Sequence, residues 1–358
     1  MSVNMHKLSL QTFQIQDQKL NELLNKTYTE LGKLSGMLEL LPYKELLLSP
    51  LLVMESVKSS NIESINSTIL EQLQLHAKGR KIYSSEQKQT ENYRQAILLG
   101  YEYIQKNNKF DIGLIELVQR TLEPNLSGIR DNQNVVIANN YTGEILWEPP
   151  KHKEVVIDYL QDWLECVNNI NDGIDGLVKV AILHSQFEAI HPFVDGNGRT
   201  GRILITLYLV FVGLLSYPCL YLSEYILRTR TYYYLNLKES QTNQNHYGIA
   251  EYLIQGIYQK TKFNCNLIIL IANKKDEYRI KLREELPKIY SSELLEYLFQ
   301  SPFYSIGSMC VDINLTRNTA SKYLSLLMSK NFVELYESKD ESKKSKLFYN
   351  PVLLSVLK

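Results

Sequence analysis

Residues 191–199 read His-Pro-Phe-Val-Asp-Gly-Asn-Gly-Arg, and a second arginine follows at 202. Each residue type suits one part of phosphoryl chemistry. Gly196, Asn197 and Gly198 allow consecutive backbone N–H groups to turn into one hollow that binds an anion. Arg199 and Arg202, three positions apart, add two planar forks that match phosphate oxygens. Asp195, one residue before the nest, is placed to hold a magnesium ion bridging those phosphates. His191 offers a neutral imidazole to take a proton from an incoming hydroxyl. Singly, each feature has a plainer reading as a turn, a packed corner or a solvated helix start. Crowded between apolar segments, so many ionisable groups would be costly to bury without a ligand. Together they predict a polyphosphate nucleotide, its metal and a base.

The flanks say what must hold these residues. GLVKVAILHSQFEAI, residues 176–190, carries Leu177, Val180, Ala181, His184 and Phe187 at three-and-four spacing, which predicts a mostly buried helix. RTGRILITLYLVFVGL, residues 199–214, is apolar enough for a core helix, with the anion hollow opening onto its N-terminus. Pro192, Gly196 and Gly198 interrupt the helix between them. The chemistry therefore sits on a loop sunk between two central helices.

The whole chain has 358 residues, enough for a main body and at least one appended module. With 44% apolar residues, 22% charged residues and a formal net charge of zero, it shows no global attraction to nucleic acid or membrane. Cys166, Cys219, Cys265 and Cys310 form no C-x-x-C pair, which argues against a disulfide framework and a structural zinc site. A reducing, cytoplasmic setting fits. The N-terminus lacks the unbroken apolar stretch of a signal peptide, and LITLYLVFVGLLSYPCLYL, broken by Gly213 and Pro218, reads as a buried helix and loop rather than a membrane span.

Few glycines and prolines and widespread helical periodicity make the fold class mainly α. LNELLNKTYTELGKLSGML and LLLSPLLVMESVKSSNIESI read as helices, the second entered through Ser49 as cap and Pro50 as first-turn proline. Another helix is expected from Ser84-Ser85-Glu86 to Ile104. NVVIANNYTGEILWEPP reads as a short β-hairpin ended by Pro149-Pro150, and the following helix shows Val155, Tyr159, Trp163 and Val167 on one face. A boundary falls near Leu286-Pro287. Beyond it, three helices and a charged turn between short strands have the order of a winged helix-turn-helix, with TRNTASKYLSLL as the recognition-type helix. From residue 286 onward nine Lys or Arg face seven Asp or Glu, an excess too small to distinguish DNA binding from a packing or dimerisation module.

HPFVDGNGRTGR, residues 191–202, resembles the signature of the Fic family, H-x-F-x-[D/E]-G-N-G-R-x-x-R, at every fixed position. Most members of that family are protein adenylyltransferases, which move AMP from ATP to a hydroxyl side chain and release pyrophosphate. The resemblance implies a Fic-type helical core in which His191 is the general base and Asp195 the Mg2+ ligand. It gives the ATP site as Gly196, Asn197, Gly198, Arg199, Thr200, Gly201 and Arg202, with Arg202 on the γ-phosphate and Phe193 anchoring the loop. LSGIRDNQNVVIA and the hairpin after it resemble the family's flap, which pins a target peptide by main-chain pairing, here through Val136, Ile137, Ala138, Asn139 and Asn140. TRTYYYLNL, residues 229–237, is similar to N-R-x-x-Y-Y-x-x-L, placing Tyr233 and Tyr234 near the nucleotide, although Thr229 replaces the usual Asn. SSNIES, residues 59–64, is similar to the inhibitory motif [S/T]-x-x-x-E-[G/N], with Ser59 and Glu63 matching and Ser64 departing. Glu63 would then pair with Arg202 and occupy the fork that a γ-phosphate needs.

The expected organisation is residues 1–110 as an N-terminal helical region with the inhibitory helix, 111–285 as the catalytic core, and 286–358 as the winged module. The expected partners are ATP, a target protein with an acceptor Ser, Thr or Tyr, and, by resemblance, a second copy in a homodimer. Three rivals remain: removal of AMP from a target, transfer of another nucleotide group, and a winged-helix DNA-binding regulator. Lysine at the position of Gly198 marks the phosphate-transferring branch, so the glycine here speaks against that branch.

Overall fold

The computed structural model describes residues 5–8, 17–41, 44–77, 84–126, 128–131, 135–138, 145–336 and 346–357. In chain order the elements are α1 (Gln18–Leu40), α2 (Lys44–Ile62), α3 (Ile69–Ala77), α4 (Ser85–Asn107), α5 (Ile112–Leu122), β1 (Ile137–Ala138), β2 (Ile145–Trp147), α6 (Lys153–Asn168), α7 (Gly176–Ile190), α8 (Asn197–Phe211), α9 (Ser223–Arg228), α10 (Arg230–Thr242) and α11 (Tyr247–Glu285). The C-terminal module adds α12 (Ser292–Gln300), β3 (Phe303–Ser305), α13 (Ile306–Asp312), α14 (Arg317–Ser329), β4 (Glu334–Tyr336), β5 (Leu347–Tyr349) and α15 (Pro351–Leu357).

Local chemistry sets many of the helix starts. The side chains of Asp17, Ser84, Asp111, Asp175, Ser291 and Thr316 each accept a hydrogen bond from a first-turn N–H of the helix that follows. Burial then decides how the helices stack. Every residue of α7 from Leu177 to Ile190 is buried, so this helix is covered on all sides and forms the centre of the core. It packs on α8, and α6, α10 and α11 cover its other faces. Helices α2, α4 and α5 lie against α8, which brings the end of α2 over the start of α8.

Two expectations are corrected here. The second helix begins at Lys44, so Pro50 lies inside it rather than in its first turn. A proline there forfeits one main-chain bond, but Leu48, Leu51, Leu52 and Val53 are all buried around it, and that packing outweighs the local stop signal. The buried face of α6 is Val156, Leu160, Trp163 and Val167, while Val155 is exposed and Tyr159 half-buried. The run of three apolar residues at 155–157 fits either register by spacing.

β1 and β2 pair antiparallel, with Ile137 opposite Trp147 and Ala138 opposite Ile145. Asn139 and Asn140, the rest of the expected flap, lie outside the described residues. The C-terminal strands form an antiparallel sheet in the order β3-β5-β4. The 39-residue α11 runs from the core into this module, where the buried Tyr278 hydroxyl donates to the Phe332 carbonyl and to Asn350 Oδ1. Among the described residues no helix is long and apolar enough to cross a membrane.

Candidate active site

Helix α7 stops at His191, whose backbone turns left-handed (φ 47°, ψ 61°). The chain returns within five residues, and Gly196, also left-handed at φ 82°, caps α8. The loop is closed from inside by Asn197: its Oδ1 accepts from the Phe193 N–H (2.9 Å) and its Nδ2 donates to the Phe193 carbonyl (2.8 Å). Phe193 is fully buried, so the loop hangs on an apolar anchor and an amide clip. The Asn197 side chain is thus taken up by Phe193, which leaves only its main chain for the expected anion hollow. Asp195 is exposed, and its carboxylate accepts from the Gly196 N–H at 2.6 Å. The first-turn N–H groups of α8 have no intrahelical partner.

His191 Nδ1 lies 3.2 Å from the Glu188 carbonyl. A carbonyl only accepts, so Nδ1 carries the proton and Nε2 keeps its lone pair. Burial pushes the imidazole down to about 4, and the nearby Arg130 charge adds to this. The side chain is therefore a neutral base across the physiological range.

The two arginines are both buried and both held by acids. Arg199 Nη2 donates to Glu123 Oε1 at 2.7 Å, with Asp195 at 3.6 Å, while its Nε and Nη1 have no protein partner among the described residues. Arg202 donates from Nε to Ser59 Oγ (2.8 Å) and from Nη2 to the Ser59 carbonyl (3.1 Å) and Glu63 Oε1 (2.8 Å). Burial works against both charges of that last pair, but their mutual attraction wins: the Glu63 carboxyl is held below its ordinary value and the Arg202 guanidinium above its own. A Cβ built on Gly198 would collide with the Glu63 carboxylate, so Glu63 lies directly over the start of α8.

Three family models match this chain in succession: Fic/DOC family N-terminal over residues 21–102, Fic/DOC family over 111–209, and the protein adenylyltransferase SoFic-like C-terminal domain over 275–353. The chain belongs to the Fic/DOC family. A probable protein adenylyltransferase of Aquifex aeolicus is 34% identical over 89 residues, 25% of this chain and 25% of that protein. Protein adenylyltransferase fic-1 of Caenorhabditis elegans is 35% identical over 89 residues, 25% of this chain and 16% of that protein. The match thus spans a quarter or less of these curated relatives. In fold, the chain is similar to a Fic family protein from Desulfovibrio desulfuricans (TM-score 0.58, 17% identity, 95% of this chain and 98% of that one). It is also similar to a Fic domain signalling protein from Bacteroides thetaiotaomicron (TM-score 0.55, 16% identity, 69% and 95%).

Around the Fic loop the remaining residues divide by depth. Tyr233 is buried and its hydroxyl is engaged by His184 Nε2 at 2.7 Å, whereas Tyr234 lines a 40 Å³ cavity together with Ile137, Trp147 and Glu188. Thr200 is fully buried behind the Fic loop. Gly201 gives the space its missing Cβ would fill to Glu188 Oε1 and His184. Burial pushes His184 down to about 3 and Glu188 up to about 7. Of the expected flap residues, Ile137 and Ala138 form β1, Ile137 lines the same cavity as Tyr234 and Glu188, and Val136, just before β1, is exposed.

Sequence reasoning missed Glu123, Glu188 and the clip made by Asn197. Glu188 was readable as an acid four residues after His184 on a helix otherwise apolar near its end. Glu123 had no signal, since it reaches Arg199 across 76 residues. Ser64, the position that departs from the inhibitory motif, adopts φ 64°. That left-handed turn explains why the family pattern favours Gly or Asn there.

Proposed function

We propose that this chain is a protein adenylyltransferase that moves AMP from ATP to a hydroxyl side chain of a target protein, held in check by Glu63 on Arg202. The observation that carries this reading is a neutral His191, its Nε2 lone pair free for a proton, beside a helix N-terminus flanked by two buried guanidiniums. In that frame the α8 amides and Arg199 bind phosphate oxygens, and Arg202 takes the γ-phosphate once Glu63 yields. Asp195, whose carboxylate is exposed, would hold a magnesium ion. When bound, the ion neutralises phosphate charge. His191 Nε2 accepts the proton of the attacking hydroxyl, while the bond to pyrophosphate breaks in line. The exposed Val136 just before β1 suits an approach of the target segment that carries this hydroxyl, by main-chain pairing with β1.

The test is His191→Ala: transfer of label from α-labelled ATP falls by at least about a hundredfold, while calorimetry shows magnesium-ATP binding within a few-fold of the parent. Equal labelling by the two proteins would remove the base assignment. Glu63, over the start of α8, also suits the orientation of a water molecule for removal of AMP. Release of AMP from a pre-adenylylated protein, lost in Glu63→Gly, would favour that second activity.

A further inference from the structure

Arg130 precedes the flap in sequence, and its side chain is only 2% exposed. Among the described residues the hydrogen-bond acceptors of its guanidinium are main-chain carbonyls: Nε donates to His191 O at 2.7 Å, and Nη2 donates to Ile190 O at 3.3 Å and to Pro150 O. Its own N–H donates to Pro192 O at 3.0 Å. A buried cation there is stabilised by the C-terminal end of α7, whose last carbonyls lack intrahelical donors and carry the negative end of the helix dipole.

Those acceptors belong to two different parts of the site. Ile190, His191 and Pro192 form the entry to the Fic loop, and Pro150 follows the β1–β2 hairpin that Arg130 precedes. One guanidinium thus closes the base of the flap and fastens it to the left-handed residue whose ring is the base. The His191 ring is fixed on one side by its Nδ1 contact with Glu188 O, and its peptide plane on the other by Arg130. Trp147 supplies a second flap anchor, its Nε1 donating to Ala189 O at 3.0 Å. A target strand paired to β1 would therefore present its hydroxyl to His191 Nε2 at a separation set through these contacts.

We infer that Arg130 is a positioning residue that sets the flap and the catalytic histidine at a fixed distance from each other. The inference rests on the adenylyl-transfer reading above. Lysine keeps the charge but has a single point donor, which cannot replace a planar fork spanning three carbonyls. The two functions of the residue, charge and geometry, can thus be separated by substitution.

The experiment places Arg130→Lys and Arg130→Ala in a Glu63→Gly parent and follows self-labelling with α-labelled magnesium-ATP over pH 4 to 8. Both variants should label about a hundredfold more slowly at saturating ATP, with the KM for ATP moved less than about threefold. In Arg130→Ala the acid limb of the profile should shift to higher pH, because a cation that depresses the His191 pKa is gone; in Arg130→Lys it should stay. Lysine at parental speed, or a KM rising as steeply as the rate falls, would overturn the inference. If alanine prevents folding, the lysine variant carries the test alone. A parent that incorporates no label would instead refute the transfer reading. Hydrogen exchange decides independently of turnover: in Arg130→Lys, residues 145–150 and 190–194 should loosen together, and protection unchanged in either segment would break the proposed link.

Discussion

Replacing Glu63 with glycine should turn a slow enzyme into a faster one. Arg202 has its fork filled by Ser59 Oγ, the Ser59 carbonyl and Glu63 Oε1, all within 3.1 Å. Only the last of these is charged. A hydrogen bond between charged partners contributes about 1.5–3 kcal/mol. The Glu63 side chain is 31% exposed, so solvent screening puts this pair near the lower end, at about 1.5–2 kcal/mol. With about 1.4 kcal/mol per factor of ten, the share of molecules whose Arg202 can take a γ-phosphate rises roughly 10–30-fold. Self-labelling with α-labelled ATP at fixed magnesium should rise by that factor. Glu63→Gln, which keeps an acceptor but loses the charge, should fall between the two. The double variant Glu63→Gly with Arg202→Ala should lose the gain, because the freed fork is what accelerates transfer. Equal labelling by parent and Glu63→Gly, or a gain that survives without Arg202, would refute the reasoning.

Three further outcomes follow from particular contacts. Because burial holds His191 down to about 4, its base form is complete above roughly pH 5, so the transfer rate of Glu63→Gly should be flat from pH 6 to 8 and fall only as pH drops toward 4; an acid limb near the free-imidazole value of about 6.5 would contradict this. Ser64→Gly relieves a left-handed serine at φ 64°, which should stabilise the fold by about 1 kcal/mol and lower basal self-labelling up to about fivefold by firming the end of α2; a melting temperature that drops would count against it. Asn197→Ala strips two hydrogen bonds from the Phe193 main chain inside a buried loop and should cost about 2–3 kcal/mol in urea unfolding, whereas unchanged stability would mean the clip is not needed.

The Fic loop was legible because its residues are contiguous. In twelve residues the order of histidine, acid, glycines and arginines already fixes which groups can face one hollow, and the apolar flanks fix its depth. What spacing cannot give is the direction of a side chain. Asn197 belonged to the hollow by position, yet its amide turns inward to Phe193, since a buried loop must satisfy its own main chain before it can serve a ligand. Contacts across long separations were equally silent: nothing near Glu123 announces Arg199, and nothing near Arg130 announces His191. Pro50 shows the opposite failure, a strong local signal overruled by the burial of its apolar neighbours within α2. Strand β3, three residues long, was too short for a period to appear.

Ser64 shows how a mismatch can itself be read. The departure from Gly or Asn marks a position whose backbone demand matters, and the chain meets that demand with φ 64°. The turn is tied down by hydrogen bonds from the Ser64 N–H to Asn61 O and from the Ile65 N–H to Ser60 O, both at 3.1 Å. Upstream, α2 is fastened by Glu55, whose buried carboxylate accepts from the Ser223 N–H, the Ser223 hydroxyl and the Tyr93 hydroxyl. The Glu63 carboxylate, the proposed brake on Arg202, thus stands between a firmly held helix and a turn closed at a cost in backbone strain. A brake built this way should release at its strained end first, with Ser64 and Glu63 moving while Glu55 keeps α2 in place. Arg202 would then lose one charged partner but keep Ser59, so the guanidinium stays oriented for the incoming phosphate instead of having to be ordered anew.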